Sequence, residues 1–396
     1  EEIQVLKDAA ATAIYGSQGA NGVIKIKTRR GRRGPTRVQY SYGMNMTYQP
    51  EGIRMLNGDD YTMLLKESFF NPLQSDQTAN IQELNYNPFF SEYENYNNNT
   101  DWVDAMKQTG FLHMHSLSLS GGGEKATFRV SGGYDTETGS IIGQKMDRLS
   151  TRVNLDYFVS ERIKIISNFS LVYTNNKKNY NDNLLGIAYA KMPNMAIYRE
   201  DANGNPTDEY YYTLQNMGYV AATNSYALGN QRNMWNPVAV ANLAKRDVRN
   251  YKLNALFELQ YYLLNPDIDG HELRYNGNVF MDVNNDYTDM FFPRELTTYQ
   301  WADGMVNRSE ESAGKGVAFT TKHTLTFTPS FENQDHFFTT MLRMELTDGN
   351  GSNYGSVSYG LPNGSITSSN AQGYLDNMWT GQDQWRSIYF TYSGHY

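Results

Sequence analysis

Arg148-Leu149-Ser150-Thr151-Arg152-Val153-Asn154-Leu155-Asp156-Tyr157-Phe158-Val159 changes character at almost every step. Successive side chains of an extended strand point to opposite sides. Leu149, Thr151, Val153, Leu155, Tyr157 and Val159 therefore share one face, and Arg148, Ser150, Arg152, Asn154 and Asp156 share the other. The same alternation recurs on both sides of this stretch. Upstream, Ala126, Phe128, Val130 and Tyr134 oppose Lys125, Thr127, Arg129 and Ser131. Downstream, Tyr251, Leu253, Ala255, Phe257, Leu259 and Tyr261 oppose Lys252, Asn254, Glu258 and Gln260, while Tyr275, Val279, Met281 and Val283 oppose Arg274, Asn276, Asn278 and Asp282. Residues 163–173 are noisier but similar.

Alternation alone also describes the half-buried strands of a soluble sandwich. The connections separate the two. Strands are expected near residues 38–48, 111–120, 125–134, 148–159, 163–174, 251–262, 273–283, 319–331, 337–346 and 385–392, about ten in all. The segments between them alternate in length. Residues 121–124, 160–162, 263–272 and 332–336 are short; 49–110, 175–250, 284–318 and 347–384 are long, with 135–147 the shortest of that set. Antiparallel strands crossing a bilayer place alternate connections on opposite sides, so short turns at one rim and long loops at the other are expected. A sandwich has no such requirement. The strands are about as long as the ~9–11 residues of a tilted membrane strand, and Tyr134, Tyr157, Tyr173 and Tyr261 fall near their ends, where an aromatic girdle belongs.

Composition agrees. Of 396 residues 39% are hydrophobic, the mean hydropathy is −0.64, and no run approaches the ~18–20 apolar residues of a spanning helix. Yet there are 31 Tyr, 18 Phe and 33 Gly, a mixture rich in strand and turn formers. The absence of Cys rules out disulfides and Cys-ligated metals. A net charge of −8 argues against nucleic acid. The chain opens at Glu1-Glu2-Ile3 with no Met and no leader, as a fragment starting inside a domain would.

The first thirty or so residues differ from the rest. Residues 2–7 read as a short strand, Asp8 as the N-cap of an Ala-rich turn over 9–13, and Gly16 as its end. A turn at Gly19-Ala20-Asn21-Gly22 leads into an alternating strand over 23–28, and a basic linker over 29–37 follows. The stretch from Glu2 to Ile24, with Lys7-Asp8-Ala9-Ala10-Ala11-Thr12-Ala13-Ile14-Tyr15-Gly16-Ser17-Gln18-Gly19-Ala20-Asn21-Gly22-Val23 at its centre, resembles the end of the plug domain of TonB-dependent transporters, specifically the SusC/RagA branch of the Bacteroidetes. Asp101-Trp102 with Gly110-Phe111, Ser118-Leu119-Ser120-Gly121-Gly122 with Lys125, Asn236-Pro237-Val238-Ala239 followed by Asn254, and Thr324-Leu325-Thr326-Phe327 resemble barrel segments of the same family.

The resemblance implies an all-β transmembrane barrel of about 22 strands filled by an N-terminal plug. Residues 1–33 are then the C-terminal part of a small α/β plug domain, and 34–396 the N-terminal part of the barrel. About ten strands would leave open edges in lipid, so strands beyond Tyr396 are expected. The implied partners are a SusD-like surface lipoprotein, the TonB-ExbB-ExbD complex, outer-membrane lipid and an oligosaccharide or peptide; a dimer of transporter-lipoprotein pairs is compatible with it. The expected function is import of an oligosaccharide across the outer membrane. A peptide importer of the same family, or an adhesin or assembly barrel using its loops only for protein contacts, are the alternatives.

Individual residues are weighed on that background. Tyr15, Gly16, Gly19, Asn21 and Gly22 mark the plug-barrel junction, and the glycines suit a turn with positive φ; the segment lacks the Gly-Lys-Ser/Thr ending of a phosphate loop. Arg29, Arg30, Arg32 and Arg33 are expected to pair with interior carboxylates or face the periplasm. Arg129, Arg148, Arg152, Asn154 and Asp156 are expected to line a wet interior. His113 and His115 share a strand face but have no evident third ligand. Asp201-Ala202-Asn203-Gly204-Asn205 reads as an exposed turn, since the calcium-loop spacing and closing Glu are missing. No metal, cofactor or catalytic constellation is expected. The loop over 175–250 is rich in Tyr, and Tyr198, Tyr211 and Trp235 are its candidate substrate-binding aromatics, because ring faces beside amides and carboxylates suit sugars or peptides.

Overall fold

The structure, a computed structural model, describes residues 2–8, 21–73, 84, 93–211, 234–296, 306–331, 335–361 and 373–396. Strands β1 (Glu2–Leu6) and β2 (Val23–Lys27) pair antiparallel, Leu6 opposite Val23. Gly22, at φ 94°, turns the chain into β2. The expected helical turn over 9–13, with Tyr15, Gly16 and Gly19, lies outside the described residues.

The remainder is dominated by one sheet of ten antiparallel strands, each hydrogen-bonded to its neighbours in chain order. These are β3 (Gly34–Thr47), β4 (Gly110–Gly122), β5 (Ala126–Thr138), β6 (Lys145–Phe158), β7 (Ile163–Lys177), β10 (Lys245–Leu264), β11 (Glu272–Phe292), β12 (Arg308–Thr328), β13 (Thr339–Tyr359) and β14 (Tyr374–His395). A hairpin of β8 (Tyr198–Glu200) and β9 (Pro206–Tyr210) interrupts the sequence between β7 and β10 without entering the sheet.

All ten expected strands are present, but several are longer than the alternation indicated. β11 continues to Phe292 and β13 to Tyr359, so most of 284–318 and much of 347–384, expected as loops, is strand. The reason lies on the outward face. On β11 that face runs Tyr275, Val279, Met281, Val283 and then turns polar at Asn285; on β13 it turns polar at Asp348 and Asn350. The alternation marks only the part of each strand that meets hydrocarbon. Above it polar residues enter both faces, with Phe291, Phe292 and Val357 buried near the strand ends, while the ladder of backbone hydrogen bonds continues.

The burial pattern inverts that of a soluble protein. On β6, Asn154 and Asp156 are each 6% exposed, whereas Leu155 and Tyr157 are 40% and 42% exposed. Leaving side chains of that size in water forgoes ~1.5–3 kcal/mol apiece, so this face requires lipid. Direct register carries the apolar band across the sheet: Val130 faces Val153, Val153 faces Phe169, and Phe169 faces Ala255. Its upper margin is the row Tyr42, His115, Tyr134, Leu149, Tyr173 and Tyr251, and Tyr261 beside Tyr275 lies on its lower margin. From Tyr251 to Tyr261 is ~33 Å along the strand, or ~25 Å of height at a tilt of ~40°, the height of the apolar band of an outer-membrane barrel.

At one rim the turns are tight. Gly123 N–H donates to the Ala126 carbonyl at 2.8 Å, and Val159 N–H to the Ile163 carbonyl at 2.9 Å. Between β10 and β11, Asn265 caps the short helix α5 (Pro266–Asp269), which Gly270 ends in the left-handed region. The opposite rim carries α1 (Gly58–Leu73), α2 (Trp102–Met106), α3 (Leu184–Ala190) and α4 (Pro237–Leu243). There the chain builds an apolar core of the ordinary kind: Trp102, Val103 and Met106 of α2, Leu184 and Ala188 of α3, and Val238, Ala239, Val240 and Ala241 of α4 pack with Met192, Met195 and Phe292.

Candidate functional site

Two surfaces carry the polar chemistry: the inward wall of the sheet and the capped core at the long-loop rim. Arg129, Arg148, Arg152, Asn154 and Asp156 all fall on the inward wall. Asp156 receives Arg30 at 3.1 Å and Lys164 at 3.0 Å, and Arg148 donates to Asp135 Oδ2 through Nε at 2.8 Å and Nη2 at 2.6 Å. Arg129 Nη2 reaches Ser118 Oγ at 3.4 Å. The basic linker therefore lies against the inner wall near the short-turn rim. Its backbone comes so close that a Cβ at Gly31 would overlap the backbone of Phe128. Arg33 donates to the Glu124 carbonyl and stands 5.7 Å from the Phe158 ring centroid. An open cavity of about 900 Å³ here is lined by Arg29, Arg30, Arg32, Arg33, Arg37 and Arg129.

At the long-loop rim the organising side chain is Asn236, 2% exposed. Its Oδ1 accepts from Val238 N–H and Ala239 N–H, both at 3.1 Å, and its Nδ2 donates to the carbonyls of Ile197 (2.8 Å) and Tyr211 (2.7 Å). It caps α4, begun by Pro237, and ties it to the β8–β9 hairpin. Trp102 Nε1 donates to the Met192 carbonyl at 2.8 Å, and Asp101 caps α2. Sequence reading noticed both motifs without assigning these roles.

It missed Lys191, 5% exposed in the same core, with Nζ donating to the Met234 carbonyl at 2.6 Å. Burial pushes its ammonium group down to about 7. Below that value the lysine is charged both folded and unfolded, and the full cost of burying the charge is felt. Between about 7 and the ordinary lysine value the folded form sheds its proton first, so stability rises with pH. Local opening of the 184–196 segment, measured by hydrogen exchange corrected for intrinsic pH dependence, is expected to become rarer from pH 6 to pH 9. Lys191→Met should flatten that dependence; an unchanged slope would refute it.

The three loop aromatics occupy different settings. Tyr198 is 37% exposed and stacks on Tyr210 at 4.9 Å. Tyr211 is 5% exposed, edge-on to Tyr96 at 5.8 Å and with Arg199 5.7 Å from its ring centroid. Trp235 packs between Phe292 (5.5 Å) and Tyr180 (6.3 Å). Of the expected junction residues, Asn21 and Gly22 are described, at the turn into β2. Asp201 closes a turn: its Oδ1 accepts from Asn203 N–H (2.8 Å) and Asn205 N–H (3.0 Å), and these bonds hold its carboxyl below the ordinary range. His113 and His115 lie on the outward face, each bonded through Nδ1 to a tyrosine hydroxyl, Tyr42 and Tyr40, at 2.8 Å. Among the described residues no group of three or more potential metal-ligating side chains occurs.

An antiparallel wall with a lipid-facing apolar band, tyrosine margins, a charged interior and loops on one rim is the wall of an outer-membrane β-barrel. No family model matches the chain. Over 275 residues it is 28% identical to the TonB-dependent receptor SusC of Bacteroides thetaiotaomicron, and over 281 residues 26% identical to a TonB-dependent receptor of Formosa agariphila. These alignments cover 68% and 69% of this chain, which spans 24% of the length of either relative. The RagAB peptide importer in its closed-closed state superposes on 98% of the chain with a TM-score of 0.73 at 20% identity, this chain matching 43% of that one. The open-open state gives the same score over 99% of the chain. The chain is thus similar in part to SusC/RagA-like TonB-dependent receptors of the outer membrane, and its fold is that of part of their barrel.

Proposed function

We propose that the protein imports a nutrient, an oligosaccharide in the first instance, across the outer membrane, with energy supplied through TonB-ExbB-ExbD and with a SusD-like lipoprotein over its extracellular loops. The observation that supports this best is the wall itself, apolar toward lipid and charged toward the interior, with a basic linker held on the inner side by Asp156. In this reading residues 1–33 belong to a plug domain and 34–396 to the barrel, and the linker joins a movable body to a fixed wall. The free edges of β3 and β14 pair with further strands, because unpaired backbone groups in hydrocarbon cost several kcal/mol each. Tyr198, with its exposed ring, is the loop aromatic best placed to meet solute or lipoprotein, while Tyr211 and Trp235 serve packing.

Import of peptides is the second reading, and the likeness to the RagAB peptide importer favours it. Deletion of the gene followed by growth on single glycan or peptide sources separates the two. Loss of growth on one or more glycans with peptide use intact supports the first reading; the reverse pattern supports the second. Unchanged growth on every source, with loss of surface attachment, would replace both by an adhesin.

A further inference from the structure

Toward the long-loop rim, the inner wall of β11–β14 holds two indole rings laid flat on glycine. Trp385 stands opposite Gly349 and Trp379 opposite Gly355 in the β13–β14 register. At the position a Cβ of Gly349 would take, Trp385 Cε2 is nearest, with its bonded neighbours Nε1 and Cζ2 almost as near; at Gly355 the same holds for Trp379 Cζ2 with Cε2 and Cη2. A point nearly equidistant from three bonded ring atoms lies over the ring face, so one face of each indole covers glycine backbone and the other turns inward. Trp385 and Trp379 are 48% and 37% exposed. Between them Asp383 lies across Gly351, and Asn353 lies across Gly381 from the other strand.

The setting narrows what these rings meet. The outward neighbours of Trp385 and Asp383, namely Asp348, Asn350, Gln382 and Gln384, are hydrophilic, and Arg386 pairs with Asp348 at 2.6 Å; Trp379 is flanked outward by Tyr354, Ser356, Met378 and Thr380. The wall around Trp385 and Asp383 therefore stands in water on the long-loop side. Across β12, whose inward positions here are Gly314, Gly316 and Ala318, the facing bank is Asp282, Asn284 and Asp286 of β11, roughly 14 Å away by strand spacing. Asn254 donates to Asp282 at 2.6 Å, and Asn250 donates to Asp286 and Asn284. The charged inward side chains of β11 and β14 in this stretch are Asp282, Asp286 and Asp383, with Lys252 of β10 opposite Asn284, so the balance is acidic and disfavours strongly anionic chains. Two ring platforms about 20 Å apart along one strand, with hydrogen-bond acceptors between and opposite them, suit a neutral chain of pyranose rings: sugar faces stack on indole while hydroxyls donate to carboxylate and amide oxygens.

We propose that Trp379 and Trp385, with Asp383 between them, form a binding subsite for a linear neutral oligosaccharide on the inner wall of the extracellular vestibule. This rests on the reading of the protein as a glycan importer and adds the residues that hold the cargo inside the barrel. The test uses the full-length receptor in complex with its lipoprotein. Calorimetry is run against maltohexaose, cellohexaose, laminarihexaose, the corresponding disaccharides, and a hexapeptide of alternating Lys and Ala. For at least one hexaose, Trp379→Ala and Trp385→Ala are each expected to weaken binding about tenfold. Trp379→Phe and Trp385→Phe should restore most of it by keeping a ring face. A disaccharide cannot reach both rings, so its affinity should fall in one variant only.

Hexaose affinities unchanged in both alanine variants, with glycan uptake also unchanged, would overturn the subsite while leaving the importer standing. Binding of the basic peptide alone, lost in the alanine variants, would overturn the sugar assignment. Absence of any glycan uptake by cells carrying the unsubstituted receptor on its cognate sources would instead remove the importer reading beneath it. A parallel Gly349→Ala variant, whose methyl must displace the Trp385 indole, should reproduce the Trp385→Ala loss if ring placement is what matters.

Discussion

Phe257→Arg is expected to destabilise the inserted protein by ~2–4 kcal/mol, the cost of a basic side chain on the lipid face of a barrel near the bilayer midplane. Phe257 is 58% exposed on the outward face of β10, about midway between Tyr251 and Tyr261, and its register partners are Val279 and Ser167. An arginine there must shed its hydration or thin the bilayer around itself. Its neighbour Leu256 points inward beside Phe280 and Asn168, so Leu256→Arg places the same charge in a wet interior and should cost clearly less than Phe257→Arg. Equilibrium refolding of the receptor in lipid vesicles measures both. Equal losses at the two positions would mean that the faces of β10 are not differently solvated. Environment-sensitive labels at Val153 and Asn154 give an independent comparison: lipid-like surroundings are expected at the first and polar surroundings at the second.

Asn236→Ala should release the core at the long-loop rim while leaving the sheet intact. Four hydrogen bonds converge on this side chain. Loss of the helix cap costs ~1 kcal/mol, and loss of the two Nδ2 donations costs ~0.5–1.5 kcal/mol each, the Ile197 carbonyl keeping the Tyr211 N–H at 2.9 Å. A local loss of ~2–4 kcal/mol is therefore expected, enough to expose Val238, Ala239 and Val240, which are 6%, 0% and 0% exposed. Hydrogen exchange of residues 236–244 should accelerate sharply, with β5–β7 unaffected. Asn236→Asp keeps the capping oxygen but loses both Nδ2 donations, so it should fall between the two. Unaltered protection of α4 in Asn236→Ala would show that apolar packing alone holds the rim core.

Such a core changes the meaning of residues chosen from sequence. Tyr211 and Trp235 were conspicuous as aromatics in a polar loop, but ring type does not distinguish a packing face from a ligand face. In the structure Tyr211 lies against Tyr96 and Arg199, and Trp235 against Phe292 and Tyr180. Partners so distant in the chain cannot be found by spacing. The flat indoles of β14 are not legible in the sequence for the same reason. The available signal was Gly349, Gly351 and Gly355 at alternate positions of β13, and its meaning depends on which residue of β14 stands opposite each.

What the sequence determined by itself was everything governed by period and parity. Side chains alternate on a strand whatever the strand is joined to, so 148–159 announced a wall with one greasy and one wet side, and connection lengths announced two unlike rims. Strand ends beyond the apolar band, the Arg30–Asp156–Lys164 cluster, the Asn236 tie and the indoles over glycine were decided only by tertiary structure. Each depends on register between segments far apart in the chain. That register is set by the summed hydrogen bonding and packing of whole strands, which no local pattern encodes.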